Sequence, residues 1–284
     1  MQDRRIITDP AGVSVTAVWG PMHMVIKAEQ DGRPRIDAAR EAAQTAFDCL
    51  ARAAAWRRAF RRPALDFTPP PDDPLAAAMV AAAAAVGAAD LTPMSAVAGA
   101  IADAVADRLA AMGMHRVVVD NGGDIAIRLA DGESVRVGLR PAIDKPDIAW
   151  VLTLDGRTPS WGVATSGLGG RSFTRGIASA VTVVAERTAA ADAAATAVAN
   201  ACDVEDANII RRPAEALDPD TDIAGLAVTV GVDRLRPAQQ RRALARAEAK
   251  AESLCASELI TGAIIALDGL SAMAGRIEAL MTQP

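Results

Sequence analysis

The chain has no tyrosine, only two histidines (His23 and His115) and only three cysteines (Cys49, Cys202 and Cys255) in 284 residues. These scarcities exclude several chemistries at once. The cysteines are odd in number and far apart, which fits neither a disulfide framework nor a metal knuckle and implies a reducing compartment. Neither histidine has a cysteine or a second histidine at ligand or dyad spacing, so both read as structural and no zinc centre is expected. Lys27, Lys145 and Lys250 are the only lysines among thirty basic residues, a bias that, with abundant alanine, reads as coding composition rather than function. The net charge of -5 and pI near 5.2 leave no basic footprint for nucleic acid or an anionic membrane. The longest apolar run, Leu75 to Ala89, is about 15 residues of mostly alanine, short of the roughly 20 that a membrane span needs. The opening MQDRRIITDP is followed by no apolar core and no small-residue cleavage site, so the reading is a cytoplasmic protein without a membrane partner.

What is present suffices for a sizeable core, since about half the residues are apolar. Strands are expected at Val13 to Val18 and Met22 to Ala28, around Gly20-Pro21. A helix follows from Arg35 to Phe60 and ends in RRAFRRP. Those arginines read as a solvated helix end, with an anion patch as the alternative. A proline-rich connector, Thr68 to Pro74, leads to an alanine helix from Leu75. At Asp90-Leu91-Thr92-Pro93 the chain breaks and restarts, with Thr92 as N-cap, Pro93 in the first helical position and a helix from Met94 to Met112. Its small residues, Ser95 to Ala100, let other backbone or a ligand come close.

Strands at Arg116 to Asp120, Ile125 to Leu129 and Ser134 to Leu139 read as an antiparallel meander. Further strands are expected near Ala149 to Leu154, at Ala180 to Ala185 and at Leu226 to Val232. Helices are expected to end near Ala201 and to run from Pro237 to about Ser257, with an apolar segment, Leu259 to Leu267, after them. Strands cluster between helices without strict alternation, so the class is α+β, a largely antiparallel sheet packed with helices. The chain reads as one domain over residues 1–284. Nothing in the sequence fixes the oligomeric state; the small-residue helices could pack within a chain or in a homo-oligomer.

Three places could carry chemistry. Asn121-Gly122-Gly123-Asp124 is either a tight turn that needs positive φ or a paired-glycine turn that lets a phosphate or flat ring approach, with Asp124 aimed at it. The stretch from Ala164 to Ser172, containing Thr165, Ser166, Gly167 and Arg171, is either a surface turn or an anion cradle of bare backbone N–H groups, hydroxyls and one guanidinium. Asp192 and Thr196 stand four apart on an alanine helix, which places a carboxylate and a hydroxyl on one face about 6 Å from each other. If that face is buried, the aspartate needs a partner or a metal, and oxygen-only ligands select Mg²⁺ or Ca²⁺ over Zn²⁺. Asp218, Asp220 and Asp222 begin like a calcium loop, but Ile223 and Thr229 stand where its glycine and glutamate should be. They read as a polar turn.

Four segments in register resemble the UPF0280 proteins, relatives of the ApbE flavin transferases (FAD:protein FMN transferases): Thr92 to Gly99, Asn121 to Ile125, Ala164 to Gly167, and Ala180 to Val183 leading to Ala191-Asp192-Ala193-Ala194-Ala195-Thr196. The resemblance implies an ApbE-like fold binding FAD or FMN, a Mg²⁺ that bridges the pyrophosphate, and transfer of FMN to a threonine of a target protein. It implies, as an alternative to one undivided domain, two lobes meeting around residues 92–99, 120–125 and 162–200. It implies Asp192 and Thr196 as metal ligands, together with the main-chain carbonyl of Ala98. Asp192, beside the metal, is the candidate catalytic residue. Asn121, Gly122, Gly123, Asp124, Thr165, Ser166, Gly167 and Arg171 are the candidate cofactor-binding residues. The sequence departs from ApbE in two places: Ala98-Gly99-Ala100 carries no lysine and Ser172 to Ile177 no histidine, so the usual acid–base partners are absent. The expectations are therefore a Mg²⁺-dependent transferase, a non-catalytic flavin or nucleotide carrier, or an enzyme assembling a pterin-like or flavin-like cofactor.

Overall fold

The computed structural model describes residues 3–68 and 71–282, so residues 69 and 70 of the proline-rich connector lie outside it. In chain order the strands are β1 (Arg5–Thr8), β2 (Val15–Trp19), β3 (Met22–Gln30) and β4 (Arg33–Pro34), followed by helices α1 (Ile36–Trp56), α2 (Pro74–Ala85) and α3 (Val97–Ala111). Then come β5 (Arg116–Asp120), β6 (Ile125–Leu129), β7 (Ser134–Leu139), β8 (Trp150–Asp155), β9 (Ser160–Ser166), β10 (Ala180–Ala185) and α4 (Thr188–Ala201). The chain continues through β11 (Ile209–Pro213), β12 (Ala227–Val232), α5 (Pro237–Ala256), β13 (Gly262–Leu267), β14 (Leu270–Gly275) and β15 (Met281–Thr282).

The main sheet has the order β1-β2-β3-β5-β6-β9-β10-β13-β14, with β4 paired to β3, and every pairing in it is antiparallel. Helices α1, α3, α4 and α5 pack against it and against one another in that order. The class is α+β, as the unalternated pattern of strands and helices indicates. A second sheet, β15-β8-β7, covers other residues of the central strands. Between the two sheets, Ile127, Leu129, Leu152, Leu154, Trp161, Val163 and Ile264 form a separate apolar cluster. Strand β10 is therefore buried along its whole length, which explains its run of β-branched residues without a polar face.

The helices follow from small residues rather than large ones. On α1 the buried positions are Ala38, Ala39, Ala42, Ala43, Ala46, Phe47 and Ala53, the spacing of one helical face. Asp73 starts α2: its carboxylate accepts from the N–H groups of Leu75 and Ala76 and pairs with Arg52, and Pro74 occupies the first turn. Among the described residues no helix is long and apolar enough to cross a membrane.

Several expectations are corrected. Strand β7 does not extend the β5–β6 meander; it pairs with β8 in the second sheet, and β6 pairs with β9 instead. Ala164, Thr165 and Ser166 belong to β9, so the glycine loop begins only at Gly167. Thr92 makes no capping hydrogen bond, because its hydroxyl is turned to Asp222, and a 3₁₀ turn over Pro93–Ala96 precedes α3. The arginines after α1 are not simply solvated: Arg57 pairs with Asp218, and Arg61 with Asp220. That joins the helix end to the acidic turn, two segments that sequence alone left unrelated.

Candidate functional site

Where β5 turns into β6, β9 ends and β10 begins, the molecule opens a cleft of about 1190 Å³. Ala98, Asn121, Gly122, Gly123, Asp124, Thr165, Ser166, Gly167, Arg171, Asp192 and Thr196 all line it. The three stretches singled out in the sequence are thus one site, brought together by sheet pairing and by the crossing of α3 with α4.

The Asn121–Asp124 segment is a tight turn with positive φ at both glycines, and it lines the cleft. Gly122 and Gly123 have φ of 75° and 108°, which side chains rarely adopt. The Asn121 N–H donates to the Asp124 carbonyl (3.0 Å), and the Gly123 N–H to the Asp120 carboxylate (2.8 Å). The Asn121 side-chain amide reaches across to the Ala98 carbonyl (3.1 Å), tying the turn to the start of α3. Gly122 also makes room for Arg171: a Cβ there would lie 2.8 Å from the guanidinium Nη1, which donates to the Pro21 carbonyl at 3.4 Å. On β9 and β10 the hydroxyls of Thr165 and Thr182 are paired at 2.8 Å.

Helices α3 and α4 cross tightly enough to exclude a methyl group. A Cβ on Gly99 would lie 2.4 Å from the Thr188 carbonyl oxygen, and one on Gly162 of β9 would lie 2.3 Å from the Thr188 nitrogen. Neither helix has a side-chain cap of its own; each takes one from the other. Asp192 of α4 accepts from the Gly99 N–H at 2.9 Å, and Asp103 of α3 accepts from the Ala189 N–H at 3.0 Å. Asp192 sits about one turn into α4 and Asp103 nearly two turns into α3, and each closes the first turn of its neighbour.

The two carboxylates differ in their counter-charge. Asp103 is buried and receives Arg128 at 2.8 Å, the Thr188 hydroxyl at 3.0 Å and Arg187 at 3.5 Å. Asp192 has no salt-bridge partner among the described residues, and burial pushes its pKa up to about 7 against the pull of the Gly99 and Ala98 N–H groups. The Asp124 carboxyl is also raised, by burial first and then by Asp192 and Asp120, with Arg171 opposing. In this corner the carboxyls of Asp120, Asp124 and Asp192 outnumber Arg171, the one guanidinium that opposes the rise at Asp124.

A hard divalent cation fits that imbalance. Three residues that line the cleft could supply oxygens to it: Asp192 its carboxylate, Thr196 its hydroxyl and Ala98 its carbonyl, which keeps a second lone pair beyond the one used by Asn121. Among the described residues no three His, Cys, Asp or Glu side chains cluster as a metal cage. A cation here would rest on one carboxylate, neutral oxygens and its ligand, a pattern suited to Mg²⁺ with phosphates.

Sequence reasoning missed Asn200. It continues the Asp192, Thr196 row of α4 by one more turn and lines the same cleft, so the four-residue spacing could have found it. Its Oδ1 accepts from the Arg175 N–H at 2.9 Å, while the Thr229 hydroxyl donates to the Arg175 carbonyl at 3.0 Å. Asp103 was also missed, and Asp222, read as part of a polar turn, was not connected to Thr92. Their partners, Arg128 and Thr92, are distant in sequence, and no local spacing reveals them.

Comparison with known proteins places the chain. A family profile described as AbpE bacteria matches residues 4–278. The chain belongs to that family. Its curated relatives include the UPF0280 protein of Methanopyrus kandleri, 41% identical over 152 residues, covering 50% of this chain and 56% of the relative. The UPF0280 protein of Methanospirillum hungatei is 36% identical over 131 residues, covering 46% of this chain and 53% of the relative. The chain thus spans about half the length of the curated relatives it matches. Among solved structures, the ApbE protein of Thermotoga maritima superposes with a TM-score of 0.54 at 13% identity, covering 99% of this chain and 100% of that one. The UPF0280/ApbE-like family and the ApbE-like α+β fold expected from the four motifs are therefore shown.

Proposed function

We propose that residues 1–284 form one ApbE-like unit that binds FAD, FMN or a related nucleotide in the cleft, with a Mg²⁺ between the diphosphate and Asp192. The observation that carries this reading is the contrast between the two capping carboxylates: Asp103 has its arginines, and Asp192 faces the cleft without any cation. Asp192, Thr196 and the Ala98 carbonyl would hold the metal. Asn121 would orient the Ala98 carbonyl, and Gly122, Gly123 and Gly167 would let the ligand approach main-chain N–H groups, with Thr165, Ser166 and Arg171 at its anionic part. Bound there, Mg²⁺ supplies neutralisation of phosphate charge. Asp124, whose carboxyl is raised by burial and by Asp192 and Asp120, would face the ligand.

Transfer of the FMN moiety is the favoured activity, at a site without the histidine or lysine of ApbE. Segment Ser172–Ile177 offers no side chain that exchanges protons near neutral pH, which favours carriage of the nucleotide as the second reading. Calorimetric titration with FAD in Mg²⁺ and in EDTA tests the site: saturable binding that needs the metal and is lost in Asp192→Asn is expected, and metal-independent or absent binding overturns it. Release of AMP from FAD then separates transferase from carrier.

A further inference from the structure

Beside the cleft lies a second recess of about 210 Å³, walled by Ala88, Leu91, Ala197 and Ala201. Its polar lining is Lys250, Arg175, Asn200 and Asp90. Asp90, Leu91, Arg175 and Asn200 line both spaces, so the Arg175–Asp90 ion pair stands as the partition between them. Asn200 lies two turns along α4 from Asp192, roughly 12 Å at 1.5 Å per residue.

The recess presents donors. Lys250 has three N–H groups and is engaged at 3.1 Å by a neutral partner, the Val86 carbonyl that ends α2. Desolvation lowers its pKa and no carboxylate offsets that. The amide oxygen of Asn200 is occupied by the Arg175 N–H, which leaves its NH₂ group as the free end. Arg175 spends part of its five-donor fork on Asp90. The one carboxylate present is already committed. The surroundings are rigid: the Arg175 backbone is held from both sides, and a Cβ on Gly176 would lie 1.8 Å from the Ala199 carbonyl oxygen.

We propose that this recess is a binding site for a small oxyanion, a phosphate or a short carboxylate, held by Lys250, Arg175 and Asn200 and distinct from the metal corner at Asp192. Its volume admits a phosphate group and excludes a nucleotide. The anion is either free or the terminal group of a longer molecule that passes the Arg175–Asp90 partition from the cleft. This site does not depend on the flavin reading.

Titration with inorganic phosphate, followed by calorimetry and by ³¹P line broadening in phosphate-free buffer, tests it on the full chain. Saturable binding is expected in the wild type and, to within about twofold, in Arg171→Met and Arg140→Met, each of which removes one of the main cleft's own arginines. Lys250→Met is expected to weaken binding at least tenfold and Asp90→Asn, which frees Arg175, to tighten it. Lys250→Arg keeps the charge and the tie to α2, and is expected to retain most of the affinity if Lys250→Met fails to fold. Competition by AMP in the wild type assigns the anion to a longer ligand, and phosphate binding without such competition assigns it to a free ion. Absence of saturable binding, or equal affinity in wild type and Lys250→Met, overturns the proposal.

Discussion

Asp103 and Asp192 cap each other's helices: the carboxylate of one receives the Ala189 N–H at 3.0 Å and that of the other the Gly99 N–H at 2.9 Å. The exchange locks the Asp192 corner of the cleft to the crossing of α3 and α4, and its halves respond oppositely to substitution. Asp103→Ala takes from the buried Arg128 one of its two carboxylates, leaving Asp107, and removes the cap of α4, and it is expected to cost about 2–3 kcal/mol. Asp192→Asn removes a charge that nothing in the protein offsets and keeps an oxygen that can still accept from Gly99. At pH 8 without metal it is expected to be at least as stable as wild type. Urea denaturation of both variants checks the contrast, and a loss in Asp192→Asn comparable to that in Asp103→Ala would refute it.

The pH dependence follows from Asp192. Its folded pKa, about 7, lies above the ordinary carboxylate value of 3.8. Its contribution is therefore fully present below about pH 4 and lost as pH rises through 7, on the order of a few kcal/mol. A bound divalent cation removes that loss. The rise in melting temperature on adding Mg²⁺ is expected to be larger at pH 8 than at pH 6 and to vanish in Asp192→Asn; equal Mg²⁺ shifts at the two pH values would contradict the assignment.

Asp73 gives the opposite sign. The side-chain hydrogen bond from Arg52 and the backbone N–H groups of α2 hold its pKa near 2, below 3.8. The stability it adds is present above about pH 4 and lost as pH falls through 2. Asp73→Ala is expected to cost about 1–2 kcal/mol at neutral pH, with the difference from wild type closing in acid, as denaturation midpoints at pH 7 and pH 2.5 will show.

Much of this was legible in the sequence because it rests on local pattern. The extent of β10, the positions of α4 and α5, and the two glycines of the Asn121–Asp124 turn are set by residue type at short spacing. The allotment of strands to sheets was not legible. Arg116–Asp120, Ile125–Leu129 and Ser134–Leu139 look alike along the chain, and only the second apolar layer around Leu152 and Leu154 draws the third strand away from the first two. Strands β1 and β11 and the edge strands β14 and β15 were passed over: Arg5–Thr8 and Met281–Thr282 are too short to show a period. The grouping of the site residues was suggested only by the family resemblance; the spacing of Asp192 and Thr196 says nothing of Ala98.

Gly99 offers the sharpest test of packing. A Cβ there meets the Thr188 carbonyl oxygen at 2.4 Å, its carbon at 2.6 Å and the Ala189 nitrogen at 2.8 Å. All are main-chain atoms at a helix start clamped on its other side by Gly162. Gly99→Ala is expected to cost about 3 kcal/mol, the upper range for overpacking, and to weaken Mg²⁺ binding by displacing Asp192. Mn²⁺ titration followed by electron paramagnetic resonance, with thermal melts alongside, measures both; wild-type affinity in a destabilised variant would separate the helix crossing from the metal corner.

The sheet order also bears on how the protein reaches this state. Strand β3 pairs with β5 across α1, α2 and α3, and β10 pairs with β13 across α4 and α5. Loop-closure entropy must be met before such distant pairings return any contact energy. The hairpins β2–β3, β5–β6 and β13–β14 need no such closure and are the natural early structures. The cleft draws on residues from Trp19 to Leu226 and needs α3 docked on α4, so it belongs to the last steps of folding. Ligand binding can therefore serve as a kinetic clock for the final docking, read by stopped-flow while far-ultraviolet signals report the earlier hairpins.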